Sequence, residues 1–554
     1  MEEFLENLTP LLLAAGLLIV GCVISSKVSS RFSMPGLLVF LLIGMGLHLL
    51  CSGGTYVTNI LPWRHANAIG TVALAFILFS GGFDSSLDDI RKVFRTGTIL
   101  STAGVLLTTL LLGSVAYLFA ICSGHPEFWP QSYLFGAIIS STDASAVFSI
   151  LRSKRISLQG DLKPLLEYES GSNDPMATFL TMFFLGLCQN NSSVSEGLLC
   201  FLPKFIYQMG AGVGIGIAIA AGAVWLFNHL DLDYDGLYHV LAVAVVLLIY
   251  SVTDICCANG YMATYAGGVF MGSRHFVFRN RISRFSDAIG WLMQVILFTI
   301  LGFMANPQVI LKHWWLGILM GLALMFFARP VATFICMIKS GFDLKAKALV
   351  SWVGLRGGAP IMLATFPMLL VATDYEAAET TAIGSTNFYE IMFNMVFCMV
   401  LLSVVVQSFT IMPLARALKL DSPLQMTPTA PISFDQVVYH DDRKAAKGEE
   451  HTDDLSYNEP ASFVIPAHSD LDGRAIKDLR LPVGVFIVMI SRGGKWLVPR
   501  GNTVLSHGDS LTVLATPANL KSAEKYFTQE SMTFRRRSLR MTLEGRDSVQ
   551  VLFS

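Results

Sequence analysis

Up to Gln407 the chain is a succession of apolar runs, most of them near the ~20 residues that a helix needs to cross the hydrocarbon of a bilayer. Lipid offers no partner for a backbone amide or carbonyl, so such runs satisfy their own backbone as helices. The composition agrees: 53% of the 554 residues are hydrophobic and 14% are charged, against roughly 25% charged in soluble domains. Charged residues concentrate beyond Arg416, which divides the chain into a membrane part, 1–416, and a polar tail.

About thirteen spans can be laid on the apolar runs, near 9–26, 34–51, 66–83, 97–122, 132–150, 162–187, 204–228, 237–253, 258–273, 286–304, 314–338, 346–372 and 387–415. Lys and Arg should then gather in alternate, cytoplasmic loops. They do, in clusters such as Lys27 with Arg31, Arg91 with Lys92 and Arg95, and Lys339 with Lys345 and Lys347, while the opposite loops hold little beyond Arg64, Lys204 and Lys312. An inner-membrane protein with its N-terminus outside and its tail in the cytoplasm is expected. The acidic start, Met1-Glu2-Glu3-Phe4, lacks the positive charge of a secretory signal, so the first span is expected to be retained. The basic clusters are topology signals and do not form a phosphate-binding face, which disfavours nucleic acid as a partner. The nine cysteines lie at or before Cys398 without metal-site spacing and are taken as small apolar residues. No cofactor is indicated.

The tail divides further. Residues 417–460 are too polar to bury a core and constitute a linker. Residues 461–527 suggest a compact α+β domain, with strands at Ser462–Ile465, Val485–Ile490 and Ser510–Leu514, helices near Arg474–Leu479 and Pro517–Tyr526, and a turn at Gly493-Gly494. Residues 528–554 form a basic tail able to brush anionic lipid.

Three places put polar groups at membrane depth, where an ionisable residue costs about 2.5–3.5 kcal/mol and needs a partner or a task. Ser140-Ser141-Thr142-Asp143 lies mid-span; Glu167, Glu169 and Asp174 share one short stretch with Ser170 and Asn173; Arg356 sits in Gly354-Leu355-Arg356-Gly357-Gly358-Ala359-Pro360. Glycines and Pro360 break a helix, and broken helices at matching places in two halves mark a transporter site. If spans 1–6 and 8–13 are inverted repeats, the two breaks correspond. Asp174, Asp143, Ser170 and Asn173 supply hard oxygen ligands suited to alkali cations. Glu167 and Glu169 read equally well as structural partners of a buried arginine, Arg356 reads as structural, and Asp254 and Glu390 read as interface or helix-end residues.

At these residues the chain resembles the NhaP type of monovalent cation:proton antiporters, within it the potassium/proton group, through Ser141-Thr142-Asp143-Ala144, Glu169-Ser170-Gly171-Ser172-Asn173-Asp174-Pro175 and Gly354-Leu355-Arg356-Gly357-Gly358. The resemblance implies that Asp174 alternately binds cation (K+ or Na+) and proton. It implies that Ser170 and Asp143 assist coordination, that Thr142 offers a main-chain carbonyl, that Glu169 and Asn173 organise the site, and that Arg356 stabilises the unwound crossing. Asn173 before the key aspartate implies electroneutral exchange, and the family implies a homodimer with an elevator motion. One departure is Ser80, where similar antiporters often carry an acid; Glu169 is then the expected partner of Arg356. The 461–527 unit resembles the C-terminal subdomain of the RCK/TrkA type, which implies regulation by a small ligand. A sodium-selective antiporter and a ligand-gated cation channel are the alternatives; an enzyme is not indicated.

Overall fold

The computed structural model describes residues 16, 19–24, 36–51, 61–423 apart from 154–155, 190–193, 231, 233, 275, 374–381 and 384–385, and 459–527 apart from 467–468, 470, 480, 482–484, 493–494, 516–518, 520–522 and 524. These fall into two compact units, Met1–Leu424 and Gln425–Ser554.

The first unit is helical. Its helices are α1 Gly36–Cys51, α2 Trp63–Asp84, α3 Leu87–Cys122, α4 Trp129–Ile138, α5 Ala144–Ser153, α6 Leu162–Gln189, α7 Val194–His229 and α8 Gly236–Ile255. There follow α9 Gly260–Gly272, α10 Arg279–Met304, α11 Pro307–Cys336, α12 Leu344–Trp352, α13 Gly358–Leu363, α14 Thr365–Thr373 and α15 Phe388–Ala417. Among the described residues seven helices are long and apolar enough to cross a membrane: α2, α3, α7 from Leu199, α8, α10, α11 and α15.

Several helices begin earlier than hydropathy places them, α3, α7, α10 and α11 by seven to ten residues. α3 starts at Leu87 because Ser86 caps it, accepting from Asp89 N. Arg91, Lys92 and Arg95 therefore lie on the exposed first turns of a helix, correcting their expected place in a loop. α10 likewise starts at Arg279, so Asp287 lies beyond its second turn and not at its beginning. The two expected broken spans are broken. In the first, short polar side chains at 140–143 compete for backbone hydrogen bonds, and α4 ends before α5 begins at Ala144. In the second, Gly357 precedes α13 and Pro360 sits in its first turn, where a missing N–H costs nothing. Asp254 and Glu390 do fall at the end of α8 and the start of α15.

Strand β1, Ile156–Leu158, lies in the connection between α5 and α6, and a short pair β2 Ala382–Ile383 and β3 Thr386–Asn387 precedes α15. β1 pairs antiparallel with β4, Asp421–Pro423, and Gln159 N donates to Leu420 O at 3.0 Å. The first residues of the expected linker are thus tied to the connection between two helices of the site; residues 424–458 lie outside the described ones.

The second unit carries β5 Glu459–Val464, β6 Val485–Arg492, β7 Lys495–Leu497 and β8 Ser510–Ala515 in an antiparallel sheet of order β5-β8-β6-β7. The central strand β8 is buried throughout, and Ile490, Leu505, Leu511, Val513 and Phe527 form the core. The β6/β7 pair Arg492↔Lys495 brackets Gly493-Gly494, which lie outside the described residues. The helix expected near Arg474–Leu479 is only a 3-10 turn, Ile476–Asp478. The reason is that the amides of Ile476 and Lys477 donate to Thr503 O and Gly501 O of another segment. Of the helix expected at 517–526, Asn519, Ala523 and Lys525–Tyr526 are described and helical.

Candidate functional site

The two breaks cross. Asp143 N donates to Leu355 O at 2.7 Å, joining the segment between α4 and α5 to that between α12 and α13. Each helix end at the crossing leaves unpaired backbone groups with a partial charge, and side chains answer them. Asp143 Oδ1 caps α5, accepting from Ser145 N at 2.9 Å, Ser145 Oγ at 2.6 Å and Ala146 N at 3.3 Å. Arg356 Nη1 donates to Ser140 O at 2.6 Å and also to Ser141 O, carbonyls just beyond the end of α4. Its own amide donates to Ser403 Oγ, which is held in turn by Gln407 on α15. Gly357 permits the crossing to close, because a Cβ there would collide with the Asp143 carboxylate.

α6 runs past this crossing. Ser170 Oγ donates to Thr142 O at 2.9 Å and accepts from Ala144 N at 3.0 Å, and Asn173 Nδ2 donates to Thr142 Oγ1. Ser170 and Asn173 thus fix both the main chain and the side chain of Thr142. Asp174 follows on the same helix, 9% exposed, and its Oδ1 has no hydrogen-bond partner among the described residues. Pro175 after it removes one helical hydrogen bond, and Asn259 at the start of α9 donates to Pro175 O at 2.9 Å.

Asp174, Asp143, Ser170 and Thr142 all line one cavity of about 610 Å³, together with Ser80, Glu167 and Asp287. Among the described residues no Lys, Arg or His lines it. The structure therefore brings Asp174, Asp143, Ser170 and Thr142 to a common anionic space, with Asn173 directly behind them.

Glu169 is placed differently from expectation. It is 1% exposed, and its Oε1 meets Nη2 of Arg329 at 2.5 Å, whereas Arg356 takes backbone carbonyls in its place. The expected Glu169–Arg356 pair is thereby corrected. Arg329, on α11 just after a π-helical turn at Leu324–Ala328, reaches α6 across the space left by Gly354, where a Cβ would meet its Nε. An arginine inside the apolar run 314–338, followed by Pro330, was the sequence signal for it. Glu167 stays nearer the surface, 3.7 Å from Lys163. Ser80, at the position of the absent acid, donates to Asp287 Oδ1 at 3.2 Å and has no contact with Arg356 among the described hydrogen bonds.

Known proteins resemble the chain over most of its length. The description "Sodium/hydrogen exchanger, transmembrane" matches residues 14–417, and the TrkA-C domain matches residues 461–528. The chain is 32% identical over 518 residues to the K(+)/H(+) antiporter NhaP of Alkalimonas amylolytica, covering 93% of this chain and 82% of that one. It is 31% identical over 531 residues to the K(+)/H(+) antiporter NhaP2 of Shewanella sp. (strain ANA-3), covering 95% and 85%. The solved structure of the sodium proton antiporter MjNhaP1 from Methanocaldococcus jannaschii is similar with a TM-score of 0.62 and 26% identity, over 74% of this chain and 99% of that one. With its crossed helix breaks, its carboxylate-lined cavity and a match over most of its length, this chain belongs to the transmembrane sodium/hydrogen exchanger family and carries a TrkA-C domain behind it.

Proposed function

We propose that the protein is a secondary antiporter exchanging a monovalent alkali cation, K+ in the first place, for H+ across the inner membrane. The carrying observation is the Asp174 carboxylate, buried against a cavity that no basic residue lines and with Oδ1 unpartnered among the described residues. An ionised carboxylate so placed needs a counter-charge, which a cation or a proton supplies, one at a time. Asp143, Ser170 and the Thr142 carbonyl contribute oxygens to the cation, Asn173 and Glu169 hold the ligand-bearing helices, and Arg356 stabilises the crossing.

Empty and ionised, the site is costly to carry through a low-dielectric barrier; neutralised by either substrate it is not. That difference couples movement to occupancy, and a single carboxylate makes the exchange electroneutral. The same oxygens suit Na+, so sodium selectivity is the second reading. K+ is favoured by two curated relatives named as K+/H+ antiporters, similar over more than nine-tenths of the chain.

The accompanying architecture is an antiporter domain at 1–416 of about thirteen spans in inverted repeats, with the N-terminus outside. It continues as a linker at 417–460, a regulatory domain at 461–527 and a basic tail at 528–554 on the cytoplasmic side, in a lipid-embedded homodimer. A small ligand of the 461–527 domain would act on exchange through the tail, whose root β4 is paired with β1 between α5 and α6. Proton efflux from proteoliposomes driven by K+, Na+, Rb+ and Li+ in turn tests the reading. K+-driven efflux is expected to dominate; Na+ alone driving it would establish the sodium reading, and no efflux with any cation would reject antiport.

A further inference from the structure

Asp287 is an acid of α10 that the site described above does not use. It shares one face of that helix with Gly290, Trp291 and Gln294, at i, i+3, i+4 and i+7, and all four line the same cavity as Asp174 and Asp143. Among the described residues Asp287 makes no ion pair; its Oδ1 accepts from Ser80 Oγ of α2 at 3.2 Å. The approach of the two helices is close enough that a Cβ on Gly290 would stand 3.1 Å from Ser80 Cβ and Oγ. Ser80 is 9% exposed, while Asp287 remains open. A carboxylate with no counter-ion among the described residues, beside a buried hydroxyl on a wall whose described residues include no basic one, attracts a cation. Low-dielectric walls focus that attraction along the cavity. Asp174, which lines the same cavity and whose buried Oδ1 has no hydrogen-bond partner among the described residues, is where such a cation would go next.

We infer that Asp287 and Ser80 form an outer cation station, a positioning pair that captures a partly hydrated alkali cation before it reaches Asp174; this rests on the antiport reading. The pair sets the concentration at which exchange saturates, not the chemistry of exchange. The test uses the full chain in proteoliposomes with K+ concentration varied. Wild-type exchange, and its loss in Asp174→Asn, check the antiport reading independently. Asp287→Asn keeps an acceptor for Ser80, so the fold is retained, and it is expected to raise half-saturating K+ about tenfold with the maximal rate kept. Moving the charge across the pair, with Ser80→Asp in the Asp287→Asn background, is expected to bring half-saturation back towards the wild-type value. Unchanged half-saturation in Asp287→Asn, a fall in maximal rate alone, or a double variant as poor as the single one overturns the station. A wild-type protein without exchange overturns the antiport reading instead.

Discussion

Glu169 on α6 and Arg329 on α11 form an ion pair 2.5 Å apart, with side chains 1% and 4% exposed. Gly354, in the break between α12 and α13, lies against the same guanidinium. The pair therefore locks the helix bearing Asp174 to the crossing it faces. Glu169→Gln leaves Arg329 as an uncompensated buried charge, at a cost of ~3–5 kcal/mol. A lowered melting temperature in detergent is expected, with partial recovery in the neutral pair Glu169→Gln with Arg329→Gln. Melting of Glu169→Gln at the wild-type temperature would show that the pair contributes no stability.

Asp174 carries the exchange in the proposed function, and the carboxylate's charge is what matters. Asp174→Asn should abolish K+-driven proton movement in proteoliposomes while the protein still inserts and purifies normally. In the wild type, with one titrating carboxylate and Asn173 beside it, an imposed membrane potential should leave the reversal gradient unchanged. A potential-dependent reversal would mean a second charge carrier in the cycle.

Arg356 Nη1 serves carbonyls of Ser140 and Ser141, which supports the proposed role of holding unwound backbone. Arg356→Ala leaves those carbonyls buried and unpaired, each at about 1–3 kcal/mol. Yield, thermal stability and exchange should fall together, and Arg356→Lys, which keeps a donor, should recover part of all three. A stable Arg356→Ala protein altered only in cation affinity would place the guanidinium in direct contact with substrate control.

Asp509 offers a pH prediction outside the membrane. Burial raises the affinity of its carboxyl for a proton, but the Arg492 side-chain bonds at 2.7 and 2.8 Å, the Ser506 amide at 2.8 Å and the neighbouring positive charges outweigh it. The group is thus held below the usual carboxylate range. A pKa depressed on folding gives stability that is present above the unfolded value, ~3.9, and is lost as pH falls through the folded value. Amide protection factors in Leu511–Ala515 of the full chain, referred to the intrinsic exchange rate at each pH, should therefore fall on acidification in the wild type. Asp509→Asn should start with lower protection at neutral pH and change less. Identical pH profiles for the two proteins would rule out this contribution.

Much of the molecule is legible in the chain because membrane folding is decided locally. Length and hydropathy fix helices wherever backbone groups have no alternative partner. The breaks at Ser140–Asp143 and Gly354–Pro360 follow from polar side chains and glycines that compete with the helix, and the oxygen cluster of Thr142, Asp143, Ser170 and Asp174 follows from spacing on one helix beside one break. The second unit's strands are legible for a related reason, since β8 needs a run of residues fit for burial.

What the chain does not contain is the choice of partner across long separations. Glu169 could have met either buried arginine; packing of α11 against α3 and α12, which themselves contact α6, brought Arg329 to it from 160 positions away and left Arg356 to the carbonyls at the end of α4. Ser80 and Asp287, 207 positions apart, face one another only because Gly290 lets α10 approach α2. Hydropathy and spacing report which groups need a partner, whereas the pairing is set by which helix surfaces come within hydrogen-bonding reach. That is a property of the packed assembly of helices, and tertiary structure alone decided it.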